Sequence, residues 1–302
     1  MTPLQLFLQQ LANGLTLGAI YALIALGYTM VYGVIQLINF AHGEIFVLGA
    51  YAALTVVLTL GGTGVSWGVL LAACAVAAMG WCAVIGVAIE RVAYRPLRGA
   101  PRLNPFITAI GMSFFLQNAI MLVYGATDRQ FPNPLPLLRW ETGGVTITLM
   151  QVLVWVSSAA LMVGLQWLVM ATRLGKAMRA TAQDLTACAL LGLPVNRIIA
   201  VTFAIGSALA AIGGLLFGLS YGTINFHDGY LIGLKAFTAA VLGGIGNIPG
   251  AMIGGLVLGL LEGLGAGYLS AQWKNVFAFV VLVLILLCKP TGLLGERVAE
   301  RA

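Results

Sequence analysis

Charge is what this sequence has least of. Asp, Glu, Lys and Arg make up 8% of its 302 residues, against about 25% in an ordinary soluble domain, and the shortage excludes a chain that could cover a water-facing surface. Cysteine is sparse as well: Cys74, Cys82, Cys188 and Cys288 show no CxxC or paired spacing, so they read as small buried hydrophobes rather than as disulfides or metal ligands. No Lys or Arg precedes Arg91, so the basic start of a cleaved signal peptide is missing and the first apolar run is expected to remain as a membrane helix. A phosphate-binding loop is missing too. Gly175-Lys176 lacks the preceding glycine and the following hydroxyl that would hold phosphate and magnesium, so the chain is expected to bind no nucleotide or other cofactor and to be no enzyme. His42 and His227 form no HExxH motif, and no metal site is expected.

What is abundant is apolar: 61% of the residues are hydrophobic and the mean hydropathy is +1.01. A crossing of the hydrocarbon core takes about 20 apolar residues. The expected fold is therefore all-α, a single polytopic membrane domain over residues 1–302 with eight to nine transmembrane segments, some of them discontinuous. Apolar runs place helices at 11–35, 45–60, 65–89, 105–124, 149–170 and 198–221, then three segments within 231–288 separated by 243–250 and 270–274. Arg91, Arg95, Arg98 and Arg102 crowd one loop; Arg173, Lys176, Arg179 and Arg197 crowd another. Positive loops stay in the cytoplasm, which puts the N-terminus outside and the end carrying Lys289, Arg297 and Arg301 inside. The net charge of +6 is thus a statement of sidedness and implies no nucleic-acid partner.

Two polar, glycine-containing interruptions fall within this apolar pattern, Gln36 to Glu44 and Gly243 to Gly250. Irregular backbone at membrane depth is tolerated only inside protein or beside water, and broken helices at corresponding places in two repeats are the usual pointer to a transporter's site. Shifting the chain by 210 positions aligns Val31 with Val241, Gly33 with Gly243, Ile35 with Ile245 and Ala41 with Ala251. This suggests an internal repeat, inverted in the usual transporter manner, although a composition this rich in Gly, Val and Leu also produces such matches by chance. The candidate substrate pathway is Asn39, His42, Gly43, Glu44, Gly243, Gly244, Gly246 and Asn247, whose polar groups and free helix amides suit a zwitterion. The competing reading makes them helix caps at the membrane interface. Lys235 and Lys274 are read as snorkelling to an interface, Glu262 as a packed interhelical hydrogen bond, and His227 and Asp228 as solvated loop residues. Glycines spaced by four, at Gly14 and Gly18 and again from Gly255 to Gly267, mark close helix packing.

In the 172–197 loop, residues 183–191 are expected to form a short amphipathic helix with Leu185, Cys188 and Leu191 on one face, stopped by Gly192 and Pro194. An apolar face there suits docking of another protein. This loop resembles the coupling segment of binding-protein-dependent ABC permeases, with Ala187, Gly192 and Pro194 at that family's alanine, glycine and proline landmarks. The stretches 18–33, 38–44 (Ile-Asn-Phe-Ala-His-Gly-Glu), 90–96 (Glu-Arg-Val-Ala-Tyr-Arg-Pro) and 235–246 extend the likeness. Together they resemble the high-affinity branched-chain amino-acid permeases, in particular the H-type subunits. The external 127–148 loop is the part least like them.

The resemblance implies an importer in the bacterial cytoplasmic (inner) membrane, built from this chain, a second related permease subunit, two cytoplasmic ATP-binding subunits and a periplasmic amino-acid-binding protein. It further implies a coupling role for Arg173, Gly175, Arg179, Asp184, Leu185, Ala187, Cys188, Gly192 and Pro194. ATP would be used by the partners. The alternatives are the same architecture carrying urea, amides or other amino acids, and an ATP-independent channel for a small neutral solute.

Overall fold

The computed structural model describes residues 2–295 apart from Arg102, Leu137 and Pro290, so Arg102, Arg297 and Arg301 of the basic clusters lie outside the described residues. Among the described residues the chain forms α1 (Pro3–Ile35), α2 (His42–Leu60), α3 (Trp67–Ile89), α4 (Leu103–Tyr124), α5 (Leu149–Ala171), α6 (Arg173–Gln183), α7 (Leu185–Leu190), α8 (Val195–Tyr221), α9 (Asp228–Gly243), α10 (Ile248–Tyr268) and α11 (Lys274–Cys288). Seven of these, α1 to α5, α8 and α10, are long and apolar enough to cross a bilayer, and α11 is a shorter apolar helix. With α9 they make the all-α polytopic architecture expected, and the region after residue 228 does divide into three segments.

Helix α1 starts earlier than its apolar run. Thr2 and Gln5 form a capping box, with Pro3 in the first turn, where its missing N–H costs nothing. Gln5 and Gln9 lower the hydropathy of that stretch, yet they have a role in the fold: their amides bond the backbone of Gly143 and Thr146, at 3.0 and 3.1 Å. Those residues belong to a hairpin of β2 (Arg139–Thr142) and β3 (Val145–Thr148), turned by Gly143 and Gly144, both at positive φ. A second small pairing joins β1 (Arg129–Gln130) to β4 (Thr223–Ile224). The loop expected at 127–148 is thus a docked, partly stranded cap, and this is the hairpin end of the molecule. Helices α6 and α7 mark the opposite end.

Helix α1 is the axis of the bundle, buried almost without interruption from Leu17 to Val31. It packs antiparallel on α10: Gly14 and Gly18 lie against Gly255, Gly259 and Gly263 so closely that a Cβ on any of them would strike backbone. The four-residue glycine spacing is therefore a seam between two helices of the same chain. Helices α2, α3 and α8 pack on the other side. Cys74 and Cys82 of α3 face the Ala53 and Ile45 carbonyls of α2, and both are buried, as is Cys188; Cys288 is exposed at the end of α11.

Helix α3 ends in a π-helical turn, Glu90–Tyr94, followed by a 3-10 turn, Arg95–Leu97. The fully buried Glu90 carboxylate accepts from Arg95 at 2.8 Å and from Arg98, whose other nitrogen bonds Asn196 Oδ1 at 2.6 Å. Part of the basic cluster read as a topology signal thus also staples α3 to the start of α8.

Candidate functional site

The first interruption is not a level turn. Helix α1 ends at Ile35, and Gln36 closes it in the left-handed conformation, φ 54°. The chain then climbs back, and α2 begins with His42 beside Gly27, about 12 Å above the end of α1 at 1.5 Å per residue. Helix α9 begins at the same depth. Gly43 of α2 packs directly on Gly229 and Gly233 of α9, and no side chain separates the two backbones. Two helix N-termini therefore meet inside the bundle, each carrying the partial positive charge of its free amides.

Four of the expected pathway residues gather here. Asn39 is buried, and its Oδ1 accepts from the Tyr94 hydroxyl at 3.2 Å. His42 is buried with its ring edge-on to Tyr28, centroids 4.8 Å apart. Glu44 is 1% exposed, accepts from the Ser113 hydroxyl at 3.2 Å and lies against Gly229. Ser113 on α4 and Tyr28 on α1 were not legible as partners, because nothing in their own sequence neighbourhood points at α2. At the rim, His227 is exposed, yet Nδ1 bonds Gln117 Nε2 at 2.8 Å, and Asp228 accepts from the Asn225 amide at 2.7 Å. Both are ordered parts of the entry into α9.

The other four expected residues lie elsewhere. Gly243 packs on Gly250, and Gly244 and Gly246 turn the chain at φ 109° and 94°. Asn247 caps α10 by accepting from Gly250 N at 2.9 Å and donates to the Leu294 carbonyl at 2.9 Å. Residues 291–295 fold back over this turn, Leu293 and Leu294 donating to the Leu242 and Gly243 carbonyls. Gly246 touches Gly33 and, with Met178 and Arg179 of α6, lines a cavity of about 80 Å³. The second interruption therefore sits at the α6–α7 end, separated along α1 from the junction of α2 and α9. Helices related by the 210-residue offset, α1 with α9 and α2 with α10, run in the same sense, since α10 is antiparallel to both α1 and α9.

An ionic cluster joins α1, α9 and α10 further toward the start of α1. Lys235 does not snorkel: it is 7% exposed, 3.0 Å from Glu262, and within 3.4 Å of the Tyr21 hydroxyl, which itself donates to Glu262 at 2.9 Å. Glu262 is fully buried and makes the interhelical bond expected of it. The cluster ties α9 to the α1–α10 seam.

The 172–197 segment also differs from expectation. It holds two helices, because Thr172 caps α6 (Gly175 N to Thr172 Oγ1, 3.1 Å) and Asp184 breaks it and caps α7 (2.8 and 2.9 Å from Thr186 and Ala187 N). Gly175 lies against the Val169 carbonyl, which also accepts from Arg179; Arg173 is exposed. Gly192, φ 79°, ends α7, Leu193 N returns to Cys188 O at 3.0 Å, and Pro194 opens α8. Leu185, Cys188 and Leu191 do not form one buried face: Cys188 is 4% exposed, whereas Leu185 and Leu191 are 41% and 81% exposed, although Leu191, the C-cap of α7, still donates to the Ala187 carbonyl. Leu185, Leu190 and Leu191 are exposed apolar side chains at this end.

Residues 10–286 match the family model described as the branched-chain amino acid transport system permease component. The chain is 50% identical over 300 residues to the high-affinity branched-chain amino acid transport system permease protein BraD of Pseudomonas aeruginosa, covering 98% of each chain. It is 48% identical over 301 residues to the corresponding protein LivH of Escherichia coli K12, covering 98% of this chain and 97% of that one. A partial match, 32% over 139 residues and 44% of this chain, is to the autoinducer 2 import system permease protein LsrC of Klebsiella pneumoniae. Matched by this family model over residues 10–286 and about half identical to these permeases along almost its whole length, the multi-pass chain belongs to the family of branched-chain amino acid transport permease components.

Proposed function

We propose that this chain is a membrane-spanning subunit of an ATP-driven importer that carries branched-chain amino acids across the bacterial cytoplasmic membrane. The observation that carries the cargo class is the contrast in coverage. Permeases named for branched-chain amino acids match 98% of the chain at about half identity, whereas the autoinducer permease matches 44% of it. The remaining components are a second related permease, two cytoplasmic ATP-binding subunits and a periplasmic binding protein. The α6–α7 end faces the cytoplasm, in keeping with Arg173, Lys176, Arg179 and Arg197 there and with the arginines after α3; the hairpin end faces the binding protein.

The mechanism follows from the packing. The ATP-binding subunits close on the exposed Leu185, Leu190 and Leu191. Helix α6 passes that displacement to the C-terminal third of α1 and to the second interruption, with which it shares the cavity at Met178, Arg179 and Gly246. The α1–α10 seam and the Lys235–Glu262 pair carry it on to α9, and so to the interior junction with α2. ATP shifts the equilibrium between outward- and inward-facing forms only through its different affinity for the two.

The test is uptake of radiolabelled leucine by cells lacking their own branched-chain permeases and expressing this chain with its neighbouring transporter genes. Saturable, ATP-dependent uptake that requires the chain is expected; uptake of urea or short amides in its place would remove the cargo assignment. Placing a charge among the exposed leucines with Leu190→Glu should abolish uptake and co-purification of the ATP-binding subunits while leaving membrane insertion intact.

A further inference from the structure

Three of the buried polar side-chain atoms that lack a partner among the described residues come from one short stretch: Asn39 Nδ2, His42 Nε2 and Glu44 Oε2. Native proteins leave few such atoms, and each calls for a water, an ion or a ligand. Glu44 is the most demanding. Its carboxylate is out of solvent, Ser113 engages only Oε1, and among the described residues no Lys, Arg or His nitrogen stands within 4 Å of it; the ion pairs present are those of Glu90 with Arg95 and Arg98 and of Lys235 with Glu262. The nearest favourable charge is backbone: the first turn of α2, on which Glu44 stands, and the first turn of α9, where Gly229 lies against Oε2. Partial charges of that kind hold a carboxylate in place without neutralising it.

Beside Ser113 and Gly229 lies a cavity of about 50 Å³, walled by Tyr28, Phe40, Phe114 and Gly233. It is large enough for water or for a protonated amino group, and too small for a whole amino acid. The hydroxyl of Ser113 and aromatic side chains line this space, and the Glu44 carboxylate stands directly behind the lining, bonded to Ser113 and against Gly229. A hydroxyl and aromatic rings backed by a carboxylate is chemistry that recognises an ammonium ion.

We infer that Glu44 is the ammonium acceptor of the transport pathway: with Ser113 it receives the protonated amino group of the cargo at the junction of α2 and α9. This rests on the amino-acid cargo proposed above. Room for the aliphatic part requires α2 and α9 to separate, and where Gly43 meets Gly229 and Gly233 the contact is backbone on backbone, with no side chains interlocked at that point.

The experiment is leucine uptake into liposomes holding the assembled complex, at saturating loaded binding protein, with ATPase rate and half-saturating binding-protein concentration measured alongside. Glu44→Gln is expected to lower maximal uptake about tenfold or more, the loss of one hydrogen bond between charged groups, with the other two readouts unchanged and part of the rate recovered in Glu44→Asp. Wild-type uptake in Glu44→Gln, as for a pocket that holds only water, overturns the assignment; so does equal loss in Glu44→Gln and Glu44→Asp. If Glu44→Gln does not assemble, Ser113→Ala decides: a fall of about threefold supports the site, and none overturns it. A wild-type complex that imports no leucine removes the functional reading, and this assignment with it; wild-type import with unaltered Glu44→Gln removes the assignment alone.

Discussion

The two interruptions look alike as sequence and behave as opposites in the fold. At the first, α1 and α2 are joined by a stretch that climbs back into the bundle, and polar atoms of Asn39, His42 and Glu44 are left without partners. At the second, α9 and α10 continue as a tight antiparallel pair, Asn247 uses both ends of its amide, and residues 291–295 seal the turn. The site proposed above thus belongs to the break where the helix restarts inside the bundle with donors and acceptors to spare. Where every group is satisfied, the same composition is a joint.

That contrast can be attacked in order of effect. Helix α9 spans both regions, and Lys235→Met leaves Glu262 buried and unpaired; thermal unfolding in detergent should show a loss of about 3–5 kcal/mol, most of it restored by adding Glu262→Leu. An unchanged midpoint in the single variant would mean that α9 is held by packing alone. Gly243→Val drives a side chain into the Gly250 backbone and should cost about 1–3 kcal/mol, with hydrogen exchange rising at 291–295 if the tail depends on the joint. Asn247→Ala removes a helix cap and a tail contact and should cost about 1–2 kcal/mol with little change in uptake per assembled complex. Asn39→Ala is the mirror case. Tyr94 keeps the Ile38 carbonyl as an acceptor at 3.2 Å, so no partner is stranded and stability should drop by only about 0.5–1 kcal/mol, the worth of one hydrogen bond, while leucine uptake falls. A reversal of the two asparagine results would collapse the distinction between site and joint.

Much of the helical layout was legible. The apolar runs and the glycine spacing are direct records of lipid contact and of backbone packing, and both survive in the structure with small shifts at the ends. What escaped depends on partners distant in the chain. Lys235 reads as an interfacial lysine because its counter-ion stands on α10 and its hydroxyl partner on α1. Gln5 and Gln9 read as polar noise until the β2–β3 hairpin lies across them. Helix α6 is too polar for a hydropathy search, although Thr172 and Asp184 at its two ends are ordinary capping residues. The residues at 39–44 were visible as a break, but that they face α9 and Ser113, while 243–247 pack on Gly250 and on residues 291–295, is decided by partners distant in the chain.

The tail seal also carries a message about the order of assembly. The Leu242 and Gly243 carbonyls receive their donors from Leu293 and Leu294, so while the chain is being made α9 and α10 enter the membrane with the last turn of α9 unfinished. The joint closes only after α11 has been inserted. A chain cut between α11 and Leu293 should therefore insert every helix and still leave the Leu242 and Gly243 carbonyls without these donors, so that the last turn of α9 depends on a segment about fifty residues further along the chain.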